Sequence, residues 1–376
     1  MLLGRRHRPR GRRKELSVLL LPVLALAACS NGSATGTGRP PGRHLAVRSR
    51  SFPGPFLPQQ IVSTGGSLWV LGTMGSTDPN RCAVERLDPE TLRGPTYPLP
   101  ECGPYLAAGD SHLYVVAVRY VAGSNGEDLH LETVDTTTGQ TTLDPSVITT
   151  VVGSGLAHMA FAYGLGSLWL DSWNDQLWRI SASTGAVTGS VSERSVTSGG
   201  HPSIVATRSG VWLAEGPGGG PTLKRLVPGS KAPSTVFVAP GSASILWLAA
   251  TPGRVWADVA TYADEGRTVR TRLLAFGSSG RMVLETPPEG LGSSLVAGSG
   301  HTLWTVGAGT TCAGPQRLWR VDGTTGRSVA VTTLRSPIEP CLTEGGSQLA
   351  VAGGFVFVLD ATGAASPAGV LYRIRP

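Results

Sequence analysis

The sequence predicts an all-β chain folded as a seven-bladed β-propeller of four-stranded antiparallel blades, its ring closed by an N-terminal strand. Three observations lead there. An apolar strand centred on an aromatic residue recurs seven times. Each copy is followed by a second strand that runs toward a hairpin turn. No segment carries a 3.6-residue apolar period of helical length.

The first motif appears as Gly66-Ser67-Leu68-Trp69-Val70, then around Tyr114, Trp169, Trp212, Trp256, Trp304 and Phe357. These aromatics are 45, 55, 43, 44, 48 and 53 residues apart, a mean of 48. That spacing is the length of one propeller blade. The second motif follows each first one, as in Val84-Glu85-Arg86-Leu87-Asp88, Leu131-Glu132-Thr133-Val134-Asp135, Leu177-Trp178-Arg179-Ile180 and Leu318-Trp319-Arg320-Val321-Asp322. Its apolar and polar residues alternate, as expected of a strand buried on one face. Several copies continue into Asp135 to Gly139, Ser181 to Gly185 or Asp322 to Gly326. There a short oxygen-bearing side chain can cap the turn and glycine can take a positive φ, so each is read as a hairpin. One apolar strand before each aromatic motif and one after each hairpin complete a blade of four. The tryptophans Trp69, Trp169, Trp212, Trp256 and Trp304 are assigned to packing between blades.

The seventh unit stops at Ile374 without a fourth strand, whereas residues 44–52 precede the first unit and have no other place. They are expected to supply the missing outer strand and latch the ring. Residues 44–376 therefore read as a single propeller domain.

The formal charge of +7 arises at one end. Residues 1–15 hold seven Arg or Lys and one Glu, leaving 25 basic against 24 acidic groups in the rest. That balance offers no basic face for counterion displacement, so no nucleic-acid partner is expected. The 51 glycines and 28 prolines argue against a coiled coil or helical bundle. The basic stretch Arg5 to Lys14 precedes the 13-residue apolar run Leu16 to Ala28. The run is shorter than the roughly 20 residues that span a bilayer, and it reads as a secretory signal over residues 1–28. Leu26-Ala27-Ala28-Cys29 resembles the lipobox of bacterial lipoproteins. The resemblance implies cleavage before Cys29, diacylation of its thiol, and anchoring on the outer face of the cytoplasmic membrane. Residues 29–43, rich in Gly, Ser, Thr and Pro, form the tether.

Beyond Cys29 four cysteines remain, an even number, which in an exported domain argues for disulfides. Three pairings are open. The strand model places Cys82 and Cys102 on the same face of the first unit and Cys312 and Cys341 likewise in the sixth, so each unit closes its own bridge. A metal site is the rival, but no Cys-x-x-Cys spacing supports it.

The unit from Gly166 to Gly185 resembles the repeat of YVTN and streptogramin-lyase-like propellers, a Gly-x-Leu-Trp-Val strand followed by an Arg-Ile-Asp-Pro-x-Thr-Gly hairpin. The resemblance covers nearly all of the chain after the tether and implies the fold. The lyase pattern, Trp-Phe-Thr-Glu with a His/Glu metal site, is approached here only at Trp212-Leu213-Ala214-Glu215.

Propellers bind at one mouth of the ring, through loops from several blades. The candidate ligand-binding residues on such loops are His158, Trp173, His201 and Glu215. His158 and His201 hold equivalent positions before the first strand of units three and four. With Glu215 they have the chemistry of an acid/base or metal site. Trp173 lies in a polar loop, where an aromatic packs or binds. Two function classes follow. The favoured one is a non-enzymatic, membrane-anchored binding or scaffold module for a protein or envelope ligand, with no cofactor. The alternative is a lyase-like or hydrolase enzyme using the His/Glu set, with Mg²⁺ entering only in that case.

Overall fold

The computed structural model describes residues 46–52, 56–75, 81–121, 125–152, 159–172, 176–192, 203–214, 222–262, 269–286, 294–297, 300–307, 317–334, 348–360 and 369–376. All regular structure among them is strand. The latch is β1 (Val47–Ser51). Blade one holds β2 (Phe56–Thr64), β3 (Ser67–Met74), β4 (Cys82–Leu87) and β5 (Thr96–Pro98). Blade two holds β6 (Tyr105–Ala108), β7 (His112–Tyr120), β8 (Gly126–Asp135), β9 (Thr141–Leu143) and β10 (Thr149–Val152). Blade three is β11 (Ala160–Gly164), β12 (Ser167–Ser172), β13 (Gln176–Ser181) and β14 (Val187–Ser192). Blade four is β15 (Ser203–Thr207), β16 (Gly210–Ala214), β17 (Thr222–Leu226) and β18 (Ser234–Val238). Blade five is β19 (Ala243–Thr251), β20 (Arg254–Tyr262), β21 (Val269–Gly277) and β22 (Met282–Glu285). Blade six is β23 (Ser294–Ala297), β24 (Thr302–Gly307), β25 (Arg317–Asp322) and β26 (Ser328–Thr333). Blade seven is β27 (Gln348–Ala352), β28 (Phe355–Asp360) and β29 (Val370–Ile374), with β1 as its outer strand.

Every sheet is an antiparallel meander, as the hairpin spacing requires. β1 pairs β29 from Val47 opposite Ile374 to Ser51 opposite Val370, so the N-terminal strand closes the ring. The pairing covers β29 and gives the seventh blade the same four-strand build as most of the others, with β1 as its outer edge. Blade two departs from four strands: β9 and β10 both pair β8. Pro145 has no N–H for the ladder and splits the outer strand. The backbone bonds are kept across the break, with Asp144 N–H on Leu131 O at 2.8 Å and Ile148 N–H on Leu129 O at 2.7 Å.

The core lies between blades rather than within one centre. The aromatic of each second strand faces the next blade. Trp69 packs with Leu106, Leu113 and Val115 of blade two. Tyr114 meets Leu168 and Leu170 of blade three, and Trp169 meets Val211 and Leu213 of blade four. Trp212 packs on Val255 and Ala257, Trp256 on Leu303 and Val321, and Trp304 on Val356 and Val358. Phe357 closes the circle against Leu68 and Val70 of blade one, with the latch residue Phe52 in the same cluster.

The arginine of the third strand is part of the same repeat. Trp69 stands opposite Arg86, Trp169 opposite Arg179 and Trp212 opposite Arg225. The guanidinium carbons lie 5.7, 5.6 and 5.3 Å from the ring centroids. Arg86 Nε and Arg179 Nε each donate to the hydroxyl of the serine two residues before the tryptophan, Ser67 and Ser167, at 3.0 Å. The Gly-Ser-Leu-Trp strand and its following Arg therefore form one stacked unit.

The hairpins behave as their residues dictate. Asp135 Oδ1 accepts the N–H groups of Thr137 and Thr138 at 2.8 and 2.7 Å, and Gly139 follows at φ 74°. Asp322 repeats this with Thr324 and Thr325. In blade one Asp88 caps Glu90 and Thr91, but the glycine position is taken by Leu92 at φ 57°. Leu165, also at φ 57°, stands in blade three where blades one and seven have Gly65 and Gly353.

Candidate functional site

Each blade has two ends of different character. In five blades the first and second strands are joined by two-residue turns, such as Gly65-Gly66 and Gly353-Gly354, and the capped hairpins between third and fourth strands lie at the same end. At the opposite end the second strand stops and the third begins, with wider gaps in sequence between them: Met74 to Cys82, Tyr262 to Val269 and Gly307 to Arg317. Short turns leave little freedom, so recognition is expected at the end with longer loops.

His158, Trp173, His201 and Glu215 all lie outside the described residues, as do Cys29, Cys312 and Cys341. The described residues that flank the candidate set are informative. Ala160 stands opposite Asp171 at one end of blade three, and Ser203 opposite Ala214 at the same end of blade four. β11 and β15 are neighbours around the ring. Among the described residues no group of three or more His, Cys, Asp or Glu is gathered to hold a metal.

Cys82 and Cys102 are joined in a disulfide with Cα atoms 5.1 Å apart. Cys82 opens β4 and Cys102 follows β5, so the bridge ties two loop-side segments of blade one. Cys102 O also accepts the N–H of Val118 from blade two at 2.8 Å, which carries the staple across the seam.

Beside this staple stand titratable groups that sequence reasoning did not single out. On β8, Leu129 and Leu131 face blade three, while His130, Glu132 and Val134 take the alternate face toward blade one. Glu132 is fully buried and Oε1 accepts the Glu101 N–H at 2.7 Å. Its Oε2 and both ring nitrogens of His130 have no hydrogen-bond partner among the described residues. Burial is the main cause that pushes the Glu132 carboxyl up to about 8, with the Glu101 carboxylate adding to it. Glu101 itself is clamped by Arg119, whose Nε donates to Oε1 at 2.7 Å and whose Nη2 donates to the same atom.

Comparison along the repeat explains why Glu132 is distinctive. The residue two before the last inward apolar position of the third strand is Glu85, Glu132, Trp178, Lys224, Leu274, Trp319 and Tyr372 in blades one to seven. Glu85 is answered by the latch, Arg50 Nη2 donating to its Oε1 at 2.5 Å. Glu132 faces a backbone N–H and, among the described residues, pairs with no cation. A signal was present in the sequence, since two neighbouring blades place an acid where others place large apolar or long basic side chains.

A second buried acid lies in the seam between blades five and six. Asp258 sits two residues after Trp256, where five other blades place Leu71, Val116, Ala214, Val306 and Leu359. It is fully buried, neither carboxyl oxygen has a partner among the described residues, and burial raises its carboxyl well above the usual range. Strand alternation turns Thr271 and Trp319 into the same seam as Trp256, and Thr305 with them. The hydroxyls of both threonines and the indole N–H of Trp319 are likewise unpartnered among the described residues.

Solved structures give the fold a setting. The WD40 domain of Neurospora crassa Pan2 superposes with a TM-score of 0.55 at 12% identity, over 86% of this chain and 90% of that one. U3-55K gives 0.54 at 12% identity, over 88% and 98%. The β-propeller domain of the trilobed protease from Pyrococcus furiosus gives 0.54 at 10% identity, over 85% and 93%, and is described as having an open velcro topology. The present ring differs from that description in being closed by β1. No family model matches the chain, and no curated protein matches it.

Proposed function

We propose that this chain is a lipid-anchored, extracytoplasmic binding or scaffold propeller whose blades are of the YVTN and streptogramin-lyase-like type. The observation that carries the reading is the direction in which the latch enters the ring. Val47 stands opposite Ile374, and Ile374 stands opposite Val356 beside the Gly353-Gly354 turn. The chain arriving from Cys29 therefore joins the propeller at the end bearing the short turns. The tether of residues 29–43, with the two residues that follow it before Ala46, has a root-mean-square reach of about 20 to 25 Å as a flexible coil. On this reading the short-turn end lies within reach of the bilayer, and the opposite end, where β12 and β16 finish, is the one available to a protein or envelope ligand.

Two measurements test this. Membrane fractionation of the full chain beside Cys29→Ser should move the protein from the membrane to the soluble fraction; unchanged partition would refute the anchor. Cross-linking in intact cells should give a stoichiometric partner that is lost in Trp173→Ala but retained in a variant altered at the short turns. A partner insensitive to every long-loop substitution would refute the assignment of that end.

A further inference from the structure

We propose that the seam between the latch and blade one is a binding site for the phosphate-bearing headgroup of an anionic phospholipid. The proposal rests on the anchored reading above and adds a lipid-recognising surface to it.

Alternate residues of the latch face blade one, and they form a series. Phe52 is buried in the core cluster shared by blades seven and one. Two residues earlier Arg50 pairs with Glu85, and its guanidinium lies 5.0 Å from the Phe52 ring centroid. Two residues earlier again, Arg48 stands opposite Arg373 of β29. Residues directly opposite on an antiparallel pair share a face, with Cβ atoms about 5 Å apart, and like charges there repel. Arg373 is buried and committed: Nη1 donates to Pro89 O at 3.1 Å and the guanidinium lies 4.7 Å from the Phe355 ring centroid. Arg48 is exposed and has no hydrogen-bond or ion-pair partner among the described residues.

The hairpin of blade one closes the other wall. A cavity of about 270 Å³ opens there, lined by Arg48, Arg50, Arg93, Arg373, Glu90 and Leu92 among others. The Arg93 side chain is exposed and, like that of Arg48, has no partner among the described residues. The acids nearby are largely engaged: Glu85 holds Arg50, and Asp88 caps the N–H groups of Glu90 and Thr91. Glu90 and Asp88 keep their negative charges, and Asp88 lies close enough to Arg373 to be stabilised by it. The cavity thus offers two free guanidinium groups beside a third that cannot turn away, the donor set suited to a phosphate.

Its place selects the source of that phosphate. The cavity lies at the short-turn end, where the tether joins the ring. Gly353 marks this, since a Cβ added there would meet Pro89 Cβ at 2.8 Å, so the turn of blade seven and the hairpin of blade one are in contact. A basic cavity beside the entry of the tether is on the part of the ring held within about 20 to 25 Å of the anchored thiol, where anionic headgroups are concentrated. An occupying anion would also relieve the repulsion between Arg48 and Arg373, coupling membrane contact to a firmer latch.

The test is vesicle sedimentation of the full chain carrying Cys29→Ser, which has no acylated thiol, alone and with Arg48→Gln and Arg93→Gln added. Vesicles are phosphatidylcholine, or equimolar phosphatidylcholine and phosphatidylglycerol, at physiological ionic strength. Both chains keep the basic segment Arg5 to Lys14, so only their difference is read. Each arginine near an anionic surface contributes about fivefold, and the double substitution should weaken binding to anionic vesicles about thirtyfold. Its melting temperature without vesicles should hold or rise. Equal binding by parent and variant overturns the proposal, and so does a difference that persists on neutral vesicles. Protection of the latch by inorganic phosphate with no difference on anionic vesicles overturns the lipid assignment in favour of a soluble anion. Detergent phase partition of the wild-type chain reads acylation separately, so loss of the anchor reading and loss of this one are told apart.

Discussion

Replacing Glu132 by Gln should make the propeller more stable at neutral pH and remove a slope from its stability profile. The carboxyl is fully buried in the seam of blades one and two and titrates at about 8 in the folded chain against an ordinary 4.5. For an acid raised in this way the folded state holds the proton longer. Stability is full below pH 4.5 and is lost as pH rises toward 8. Each pH unit in that window costs about 1.4 kcal/mol for one proton, so about 3 kcal/mol is gone by pH 7 and about 5 kcal/mol above pH 8. Gln keeps the carbonyl oxygen that accepts the Glu101 N–H and cannot ionise. Urea unfolding of both chains at pH 5, 6, 7 and 8 isolates the effect, because Glu101, Arg119 and the adjacent His130 are common to both. The stability difference between variant and parent should grow by about 4 kcal/mol from pH 5 to pH 8. A difference independent of pH would refute the reasoning, and would mean that the Glu132 carboxylate is already compensated.

Asp258→Val should also stabilise the chain, by about 1 to 3 kcal/mol at pH 7, because it removes an unpartnered acid from the seam of blades five and six. Its carboxyl is raised above 3.8, so the parent loses stability as pH rises past that value and the variant does not; destabilisation on chemical unfolding would show that Asp258 has an essential partner. Leu165→Gly relieves a left-handed backbone at an exposed turn, and after the added chain entropy of glycine the net gain should be about 0.5 to 1 kcal/mol by calorimetry. Removing the staple with Cys82→Ser and Cys102→Ser frees a loop of 20 residues and should cost about 3 kcal/mol, read as a lower urea midpoint than that of the parent without reductant.

The parts of this molecule that were legible in the sequence are those where one residue's role is repeated. Trp69, Trp169, Trp212, Trp256 and Trp304 recur at blade spacing, and each fills the seam with the following blade. Asp135 and Asp322 recur before Thr-Thr and Gly, and each caps its hairpin. The latch could be read from an unpaired strand at each end of the chain. What was not legible depends on partners that the repeat does not carry.

Glu85 and Glu132 occupy one repeat position and alternate alike, yet one is neutralised and the other is not. The difference is Arg50, contributed by a strand that lies outside the repeat. The opposition of Arg48 and Arg373 depends in the same way on the register of β1 against β29. A slip of one residue would turn Arg48, Arg50 and Phe52 to the other face, removing the buried Phe52 from the core and the cation from Glu85. The hydrophobic pattern therefore fixes where the charges fall: burying Phe52 brings Arg50 to Glu85 and leaves Arg48 facing Arg373. Closing the ring and creating the basic cavity are consequences of one register, and substitutions that loosen Phe52 should weaken anion binding at Arg48 without touching it.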